Sequence, residues 1–214
     1  TRLWEIRARV LAVQMGGPVG ARSPAVARLV AAELGLAEPP LAWHTDRTRP
    51  AELAAGLGTL AGALAKVGRD VTLLAQDEVG ELRESGRAGR GRSSAMTHKR
   101  NPVAAVSVLA CARRVPGLVV TILASMEQEH ERAAGAWQAE WGTLSELLSL
   151  TGSAAAWGRE LLDGLEVDPA RMRENLARMG AAAVSGALEP DPEAVGELID
   201  RALAAHELLE ETHE

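Results

Sequence analysis

The stretch PAELAAGLGTLAGALAKVGRDVTLL, residues 50–74, decides the fold of this chain. Apolar side chains recur in it at alternating spacings of four and three, at Leu53, Leu57, Leu60, Leu64, Val67, Val71 and Leu74. A seven-residue repeat held over three heptads is typical of the seam of a long helix in a bundle. We therefore predict one helix over residues 50–82, packed against other helices.

Four glycines lie inside the same helix, at Gly56, Gly58, Gly62 and Gly68. Each costs roughly 1 kcal/mol relative to alanine in an exposed helix, so an isolated helix of this sequence is not expected to be stable. The glycines indicate places where neighbouring helices approach closely.

The rest of the chain also predicts helices. Ser23-Pro24 and Gly35 bound one of them, because serine caps a helix, proline suits its first turn and glycine suits its end. The predicted helices cover residues 3–15, 24–34, 103–140 with a kink or an interruption at Pro116-Gly117, and 144–165. Two further helices are predicted to start at Asp168-Pro169 and Asp191-Pro192, with each aspartate as the cap. No alternating strand pattern occurs, so the predicted class is all-α.

Composition excludes several classes of protein. The chain has 214 residues, no Phe or Tyr, and a net charge of −6, which argues against a general nucleic-acid binder. Cys111 is the single cysteine, so no intrachain disulfide can form and a reducing compartment fits. No signal peptide or uncharged apolar run of membrane-spanning length is evident, so we expect a cytoplasmic protein without a membrane span.

A second informative stretch is GRSSAMTHKRNP, residues 91–102. Glycine lets the backbone present N–H groups to an anion, and Lys99 and Arg100 add positive charge. The stretch can therefore be an anion site, or a solvated basic linker between two helices.

The order Ser-Ser-x-Met-x-x-Lys-x-Asn-Pro within this stretch resembles the signature loop of the fumarase/aspartase superfamily, with Arg92 and Thr97 as departures. Within that superfamily the chain is most similar to the family of 3-carboxy-cis,cis-muconate cycloisomerases. The similar stretches are residues 14–17, 43–45, 89–103, 128–133, 135–141 and 164–176. Asp46 departs from the glutamine that is common there. The resemblance implies a long-helix bundle of the L-aspartase type.

The resemblance also implies roles for the loop residues. Ser93 would transfer the proton, while Lys99 and Asn101 would hold a substrate carboxylate; Ser94 and Met96 are loop neighbours that would line the substrate. A free serine hydroxyl is a poor base at pH 7, so loop amides and nearby cations would have to stabilise its alkoxide. The reaction needs no metal or redox cofactor.

His44 and Thr45 resemble a second substrate-facing region, although a purely structural role for His44 is equally open. The implied substrate is a small polycarboxylate, and the implied assembly is a homotetramer whose sites combine segments of three subunits. Neither a nucleic acid nor a membrane is expected as a partner.

The resemblance predicts two parts: residues 1–165 from the central bundle, with the signature loop at 86–102, and residues 166–214 from a shortened C-terminal helical domain. The family's N-terminal domain has no counterpart here, so the chain alone is not expected to hold every catalytic segment. Two rival functions stay open. One is another C–N or C–O lyase of the superfamily, similar to adenylosuccinate lyase, and the other is a bundle protein that has lost the chemistry.

Overall fold

A computed structural model describes residues 2–15, 23–85, 91, 101–179 and 191–211, with side chains as far as residue 208. The chain divides into two compact units, Arg2–Val167 and Asp168–Glu214. The elements of the first unit are α1 (Arg2–Val10), α2 (Pro24–Leu34), α3 (Thr48–Leu74), β1 (Leu82–Glu84), α4 (Val103–Ala124), α5 (Ala136–Asp163) and β2 (Leu165–Val167). The all-α class is confirmed, apart from these two short strands.

Helices α3, α4 and α5 form the centre of the first unit, with α4 packed against both of the others. Its chain direction is opposite to that of α3, because Gly58 faces Val119 while Gly68 faces Ala105. One core cluster consists of Ala54, Leu57, Ala61, Ala112, Val115, Ile122 and Leu147. A smaller cluster at the other end consists of Val71, Ala104, Ala105 and Leu161.

The close approach predicted from the glycines is confirmed at three positions. A Cβ atom at Gly68 would lie 3.1 Å from the carbonyl oxygen of Ala105, and one at Gly58 would lie 3.0 Å from a methyl of Val119. At Gly56 the neighbour is Leu3 of α1, at 2.9 Å. Gly62 has nothing within 4 Å, so the prediction is wrong there.

The predicted helix over residues 50–82 is wrong at its C-terminal end. Helix α3 stops at Leu74, and the N–H of Gly80 donates to the carbonyl of Gln76 in a turn that requires a φ of +65° at Gly80. The chain then continues as β1, which pairs antiparallel with β2. The prediction that no strand occurs is therefore also wrong, because three-residue strands are too short to show a period.

The boundaries of α4 and α5 differ from the prediction too. Helix α4 passes through Pro116 without interruption, since Val115 and Ile122 are buried on either side and hold it against its neighbours. It ends at Ala124 rather than resuming to residue 140. Helix α5 already begins at Ala136, where Gly135 has a φ of +92° and its N–H donates to Gln138 Oε1 at 3.0 Å.

At the N-terminus, helix α1 stops at Val10 rather than residue 15. The chain beyond it pairs with the segment after α2, where the N–H of Val13 donates to the carbonyl of Ala37 at 2.9 Å. The predicted helix over 24–34 is confirmed, and Gly35 is left-handed at its end, with a φ of 63°. The Ser23 side chain makes no capping hydrogen bond, so that part of the prediction is wrong.

Helix α4 is also long and apolar enough to cross a membrane, with a mean hydropathy of 1.7 in its most apolar window. Such a composition is equally typical of the core helix of a globular domain. Because α4 packs between α3 and α5, its apolar side chains contribute to the first unit's core.

The second unit contains α6 (Pro169–Met179) and α7 (Pro192–Glu211). Both predicted caps are confirmed. The N–H of Arg171 donates to Asp168 Oδ1 at 2.9 Å, and the N–H of Glu193 donates to Asp191 Oδ1 at 2.9 Å. An aspartate at this position accepts from amides that have no partner within the helix.

Candidate active site

The base of the signature loop is closed by Gly91 and Asn101. The N–H of Asn101 donates to the carbonyl of Gly91 at 2.9 Å, and its side-chain Nδ2 reaches the same oxygen at 3.4 Å. Gly91 has a φ of +74°, and a Cβ there would lie 2.7 Å from the carbonyl oxygen of Asn101. Glycine is therefore required at this position.

Four of the predicted site residues, Ser93, Ser94, Met96 and Lys99, lie outside the described residues. Asn101 is the loop residue with a predicted role that the structure describes; it is exposed and is separated from α4 by Pro102.

Glu84 fixes the start of α4 beside this loop base. Its Oε2 accepts from the N–H of Ala104 at 3.0 Å and its Oε1 from the N–H of Ala105 at 2.9 Å. A carboxylate is favoured here by the partial positive charge of a helix N-terminus. Sequence reasoning missed Glu84, because no local pattern relates a residue on β1 to amides about twenty positions later.

The segment that leads from β1 towards the loop is anchored as well. Ser85 donates two hydrogen bonds to the carbonyl of Gly164, from its N–H at 2.7 Å and from its hydroxyl at 2.9 Å. A groove of about 500 Å³ opens beside the loop base, and its lining includes Arg83, Glu84, Asn101 and Pro102. Among the described residues, the charged and amide groups of its lining are one cation, Arg83, two carboxylates, Asp77 and Glu84, and the amide of Asn101.

The second predicted region, His44 and Thr45, lies in an irregular segment before α3, and both residues are half-buried. The ring of His44 packs edge-on against Trp137, with 4.9 Å between ring centroids. Trp137 in turn packs edge-on against Trp141 at 5.1 Å. The pair of tryptophans on α5 thus packs together, and one of them also contacts a candidate site residue.

A buried ion pair contacts the backbone of His44. Arg47 Nε donates to Glu140 Oε1 at 2.9 Å and Arg47 Nη2 to Glu140 Oε2 at 2.5 Å, while Arg47 Nη1 donates to the carbonyl of His44 at 3.0 Å. The side chains of Arg47 and Glu140 are only 8% and 3% exposed. Sequence reasoning missed this pair, since its members are 93 positions apart.

Trp43 and Asp46 complete this region. The indole of Trp43 donates to the carbonyl of Val13 at 3.0 Å, and the guanidinium of Arg47 lies 5.4 Å from the centre of its ring. Hydrogen bonds from the hydroxyl and the N–H of Thr48 lower the pKa of Asp46 below its usual value. Asp46 therefore caps the first turn of α3 as a carboxylate.

The two predicted site regions lie at opposite ends of the bundle. His44 precedes the start of α3, whereas Asn101 precedes the start of α4, which packs beside Val71 near the end of α3. Helix α3 has 27 residues, so at 1.5 Å per residue the ends are about 40 Å apart. One copy of the chain does not bring His44 and Asn101 together.

The fold and the loop base define the class of protein. Residues 1–117 match the family model described as lyase, so the chain belongs to this lyase family of the fumarase/aspartase superfamily. In sequence it is 48% identical to the 3-carboxy-cis,cis-muconate cycloisomerase of Pseudomonas aeruginosa, over 98% of this chain and 46% of that protein. The chain thus spans about half the length of the curated relatives it matches.

A solved structure and a second relative are similarly close. The crystal structure of 3-carboxy-cis,cis-muconate lactonizing enzyme from Pseudomonas putida matches 98% of this chain and 46% of its own, with a TM-score of 0.77 and 41% identity. Nitrosuccinate lyase of Streptomyces davaonensis is 45% identical over 83% of this chain and 40% of that protein.

Proposed function

We propose that the chain serves the lactonisation of 3-carboxy-cis,cis-muconate, a step of aromatic catabolism in the cytoplasm. The observation that carries this proposal is the 48% identity to a cycloisomerase over nearly the whole chain. A carboxylate of the substrate adds to a double bond, and the carbanion-like state on the neighbouring carbon takes up a proton. Cations and N–H donors stabilise the charge that develops on the adjacent carboxylate.

In this mechanism Ser93 delivers the proton, and Lys99 and Asn101 hold the carboxylate. Ser94 and Met96 line the substrate beside them, and no metal or redox cofactor takes part. The hydrogen bond between Asn101 and Gly91 supports the assignment, because it holds one substrate-binding residue at the base of the loop. The role of His44 and Thr45 is to contact another part of the polycarboxylate.

A site of this kind needs more than one copy of the chain. His44 and Asn101 are separated by the length of α3, about 40 Å, which no single small substrate can bridge. We propose a homotetramer in which the loop end of one bundle meets the His44 end of another. Exposed apolar side chains on the bundle helices offer a surface for this contact, among them Val106, Val120, Leu123, Leu148 and Leu162.

The proposal also assigns two parts of the chain to domains of the lyase. Residues 1–165 belong to the central bundle of the lyase, and residues 166–214 belong to its C-terminal helical domain. Neither nucleic acid nor membrane is a partner.

Kinetics of loop variants test the function. We expect Ser93→Ala to lower kcat for carboxymuconate by roughly 10²–10⁴-fold, which is typical for the loss of a proton-transfer group. Lys99→Ala should mainly raise KM, because the cation binds the carboxylate in the ground and transition states alike. Asn101→Ala should have a milder effect, since it removes a neutral donor. Ser107→Ala is the matched control, because that hydroxyl donates to the carbonyl of Val103 within α4. Wild-type turnover by Ser93→Ala would exclude the serine assignment.

Elimination from nitrosuccinate is the second candidate, favoured by the 45% identity to a nitrosuccinate lyase. The two reactions give different products, so one assay of each substrate with the unmutated protein separates them. Release of nitrite and fumarate without lactone formation would favour the C–N lyase.

A further inference from the structure

We propose that Arg47 and Glu140 are positioning residues that hold His44 in the orientation in which it meets a substrate carboxylate. This inference rests on the proposed function, and it goes beyond it by assigning a role to a buried pair outside the signature loop.

His44 depends on tertiary contacts for its position. It lies in a bend before α3, so no helical or strand hydrogen bonds fix its backbone. Two contacts replace them: Arg47 Nη1 donates to its carbonyl at 3.0 Å, and Trp137 packs against its ring at 4.9 Å.

Both contacts depend on the first turns of α5. Trp137 and Glu140 are three residues apart on this helix and therefore neighbours on one face. Trp137 contacts the His44 ring directly, while Glu140 holds Arg47, which in turn holds the His44 carbonyl. The ring and the backbone of His44 are thus fixed to the same short segment of α5.

The chemistry of the pair suits this task. A buried ion pair is expensive to desolvate, and an apolar pair of similar volume is often equally stable. The guanidinium, however, can bind two partners at once. Its Nε and Nη2 donate to Glu140, and its Nη1 donates to the His44 carbonyl. A lysine has a single flexible ammonium and cannot reproduce this planar fork.

The ring of His44 is available to a ligand. It is half-buried, and among the described residues neither of its nitrogens has a hydrogen-bond partner. A histidine held by its carbonyl and by one ring edge, with its nitrogens free of the surrounding described structure, is arranged to donate to a carboxylate.

The test compares four variants of the protein, and one combination of them, by sizing, kcat and KM for carboxymuconate. Arg47→Met with Glu140→Leu replaces the pair by apolar side chains, and Arg47→Lys keeps the charge without the fork. His44→Gln shows how much kcat/KM falls when the His44 ring itself is removed. Arg114→Gln with Glu146→Gln is the matched control, because that pair also joins two helices but is exposed and does not contact His44.

We expect the paired apolar variant to assemble normally and to lose about tenfold or more in kcat/KM, and we expect the same loss for His44→Gln. Adding His44→Gln to it should cost less than about threefold further, because residues that act as one unit are not additive. Arg47→Lys should show the same kinetic defect, which keeps the test valid if the apolar pair does not fold. The exposed control should match the unmutated protein.

Three results would overturn the inference. The first is wild-type kcat/KM in both the apolar pair and Arg47→Lys, and the second is a combined variant whose loss in kcat/KM is the product of the losses of the apolar pair and His44→Gln. The third is a loss in the exposed control as large as that in the apolar pair. An unmutated protein without carboxymuconate turnover would instead refute the proposed function. Crystal structures of Arg47→Lys and the apolar pair then decide the inference separately. A His44 ring displaced from Trp137 by about 1 Å or more supports positioning, and an unchanged ring contradicts it.

Discussion

The backbone N–H of Asn101 donates to the carbonyl oxygen of Gly91 at 2.9 Å, so two residues ten positions apart are held together. This hydrogen bond fixes the point at which the signature loop enters α4. Its geometry leaves room only for a glycine at position 91, because a Cβ would lie 2.7 Å from the Asn101 carbonyl oxygen.

Gly91→Asn is therefore expected to lower activity about tenfold or more and to cost about 1–3 kcal/mol of stability. Asparagine tolerates a positive φ, so the expected damage comes from its Cβ rather than from the backbone angle. Gly35→Asn is the control, because Gly35 is also left-handed but has nothing within 4 Å. Steady-state kinetics and urea unfolding measure both effects. Equal behaviour of the two variants would show that the contact at Gly91 is unimportant.

Two glycines of α3 should respond in opposite directions to alanine. Gly68→Ala places a methyl 3.1 Å from the Ala105 carbonyl in the core between α3 and α4, and we expect it to destabilise the protein by about 1–3 kcal/mol. Gly62→Ala fills open space on an exposed face and should stabilise it by about 0.5–1 kcal/mol. Thermal unfolding of the two variants tests this, and a stabilising Gly68→Ala would contradict the close packing.

Glu84→Ala should destabilise the start of α4 by about 1–3 kcal/mol, because it leaves the amides of the buried Ala104 and Ala105 without their acceptor. Glu84→Gln keeps one acceptor oxygen and should cost less. Arg83→Gln, on the exposed neighbouring residue, is the control and should change stability by less than about 0.5 kcal/mol. Urea unfolding gives all three values. A cost for Arg83→Gln equal to that of Glu84→Ala would locate the effect in β1 rather than in the helix cap.

Asp46 should make stability depend on pH. Its pKa is lowered in the folded protein, so its stabilising contribution is fully present above its ordinary value of 3.8 and is lost as the pH falls through the lower folded pKa. Asp46→Ala should cost about 0.5–2 kcal/mol at pH 7, as expected for a lost helix cap. The difference from the unmutated protein should shrink in acid. A difference that stays constant from pH 7 to pH 2.5 in thermal unfolding would contradict the capping role.

Local signals predicted the helices whose ends depend on nearby residues. Asp168 and Asp191 accept hydrogen bonds from amides two or three residues ahead, so their caps could be predicted from sequence. The end of α3 and the start of α5 could not. A turn through Gly80 follows the end of α3, and Gly135 with Gln138 starts α5. Neither arrangement has a distinctive hydrophobic pattern.

The sequence by itself determined the helical class, the seam of α3, the signature loop and the family, because these depend on periodicity and on residues at fixed spacing. Only the tertiary structure decided which residues meet. Glu84 reaches α4 across the loop, and Arg47 reaches Glu140 over 93 positions to hold His44. Such contacts depend on how the elements pack in space. Helices α3 and α4 run in opposite directions, which separates His44 from Asn101 by the full length of α3. Spacing along the chain contains no information about either.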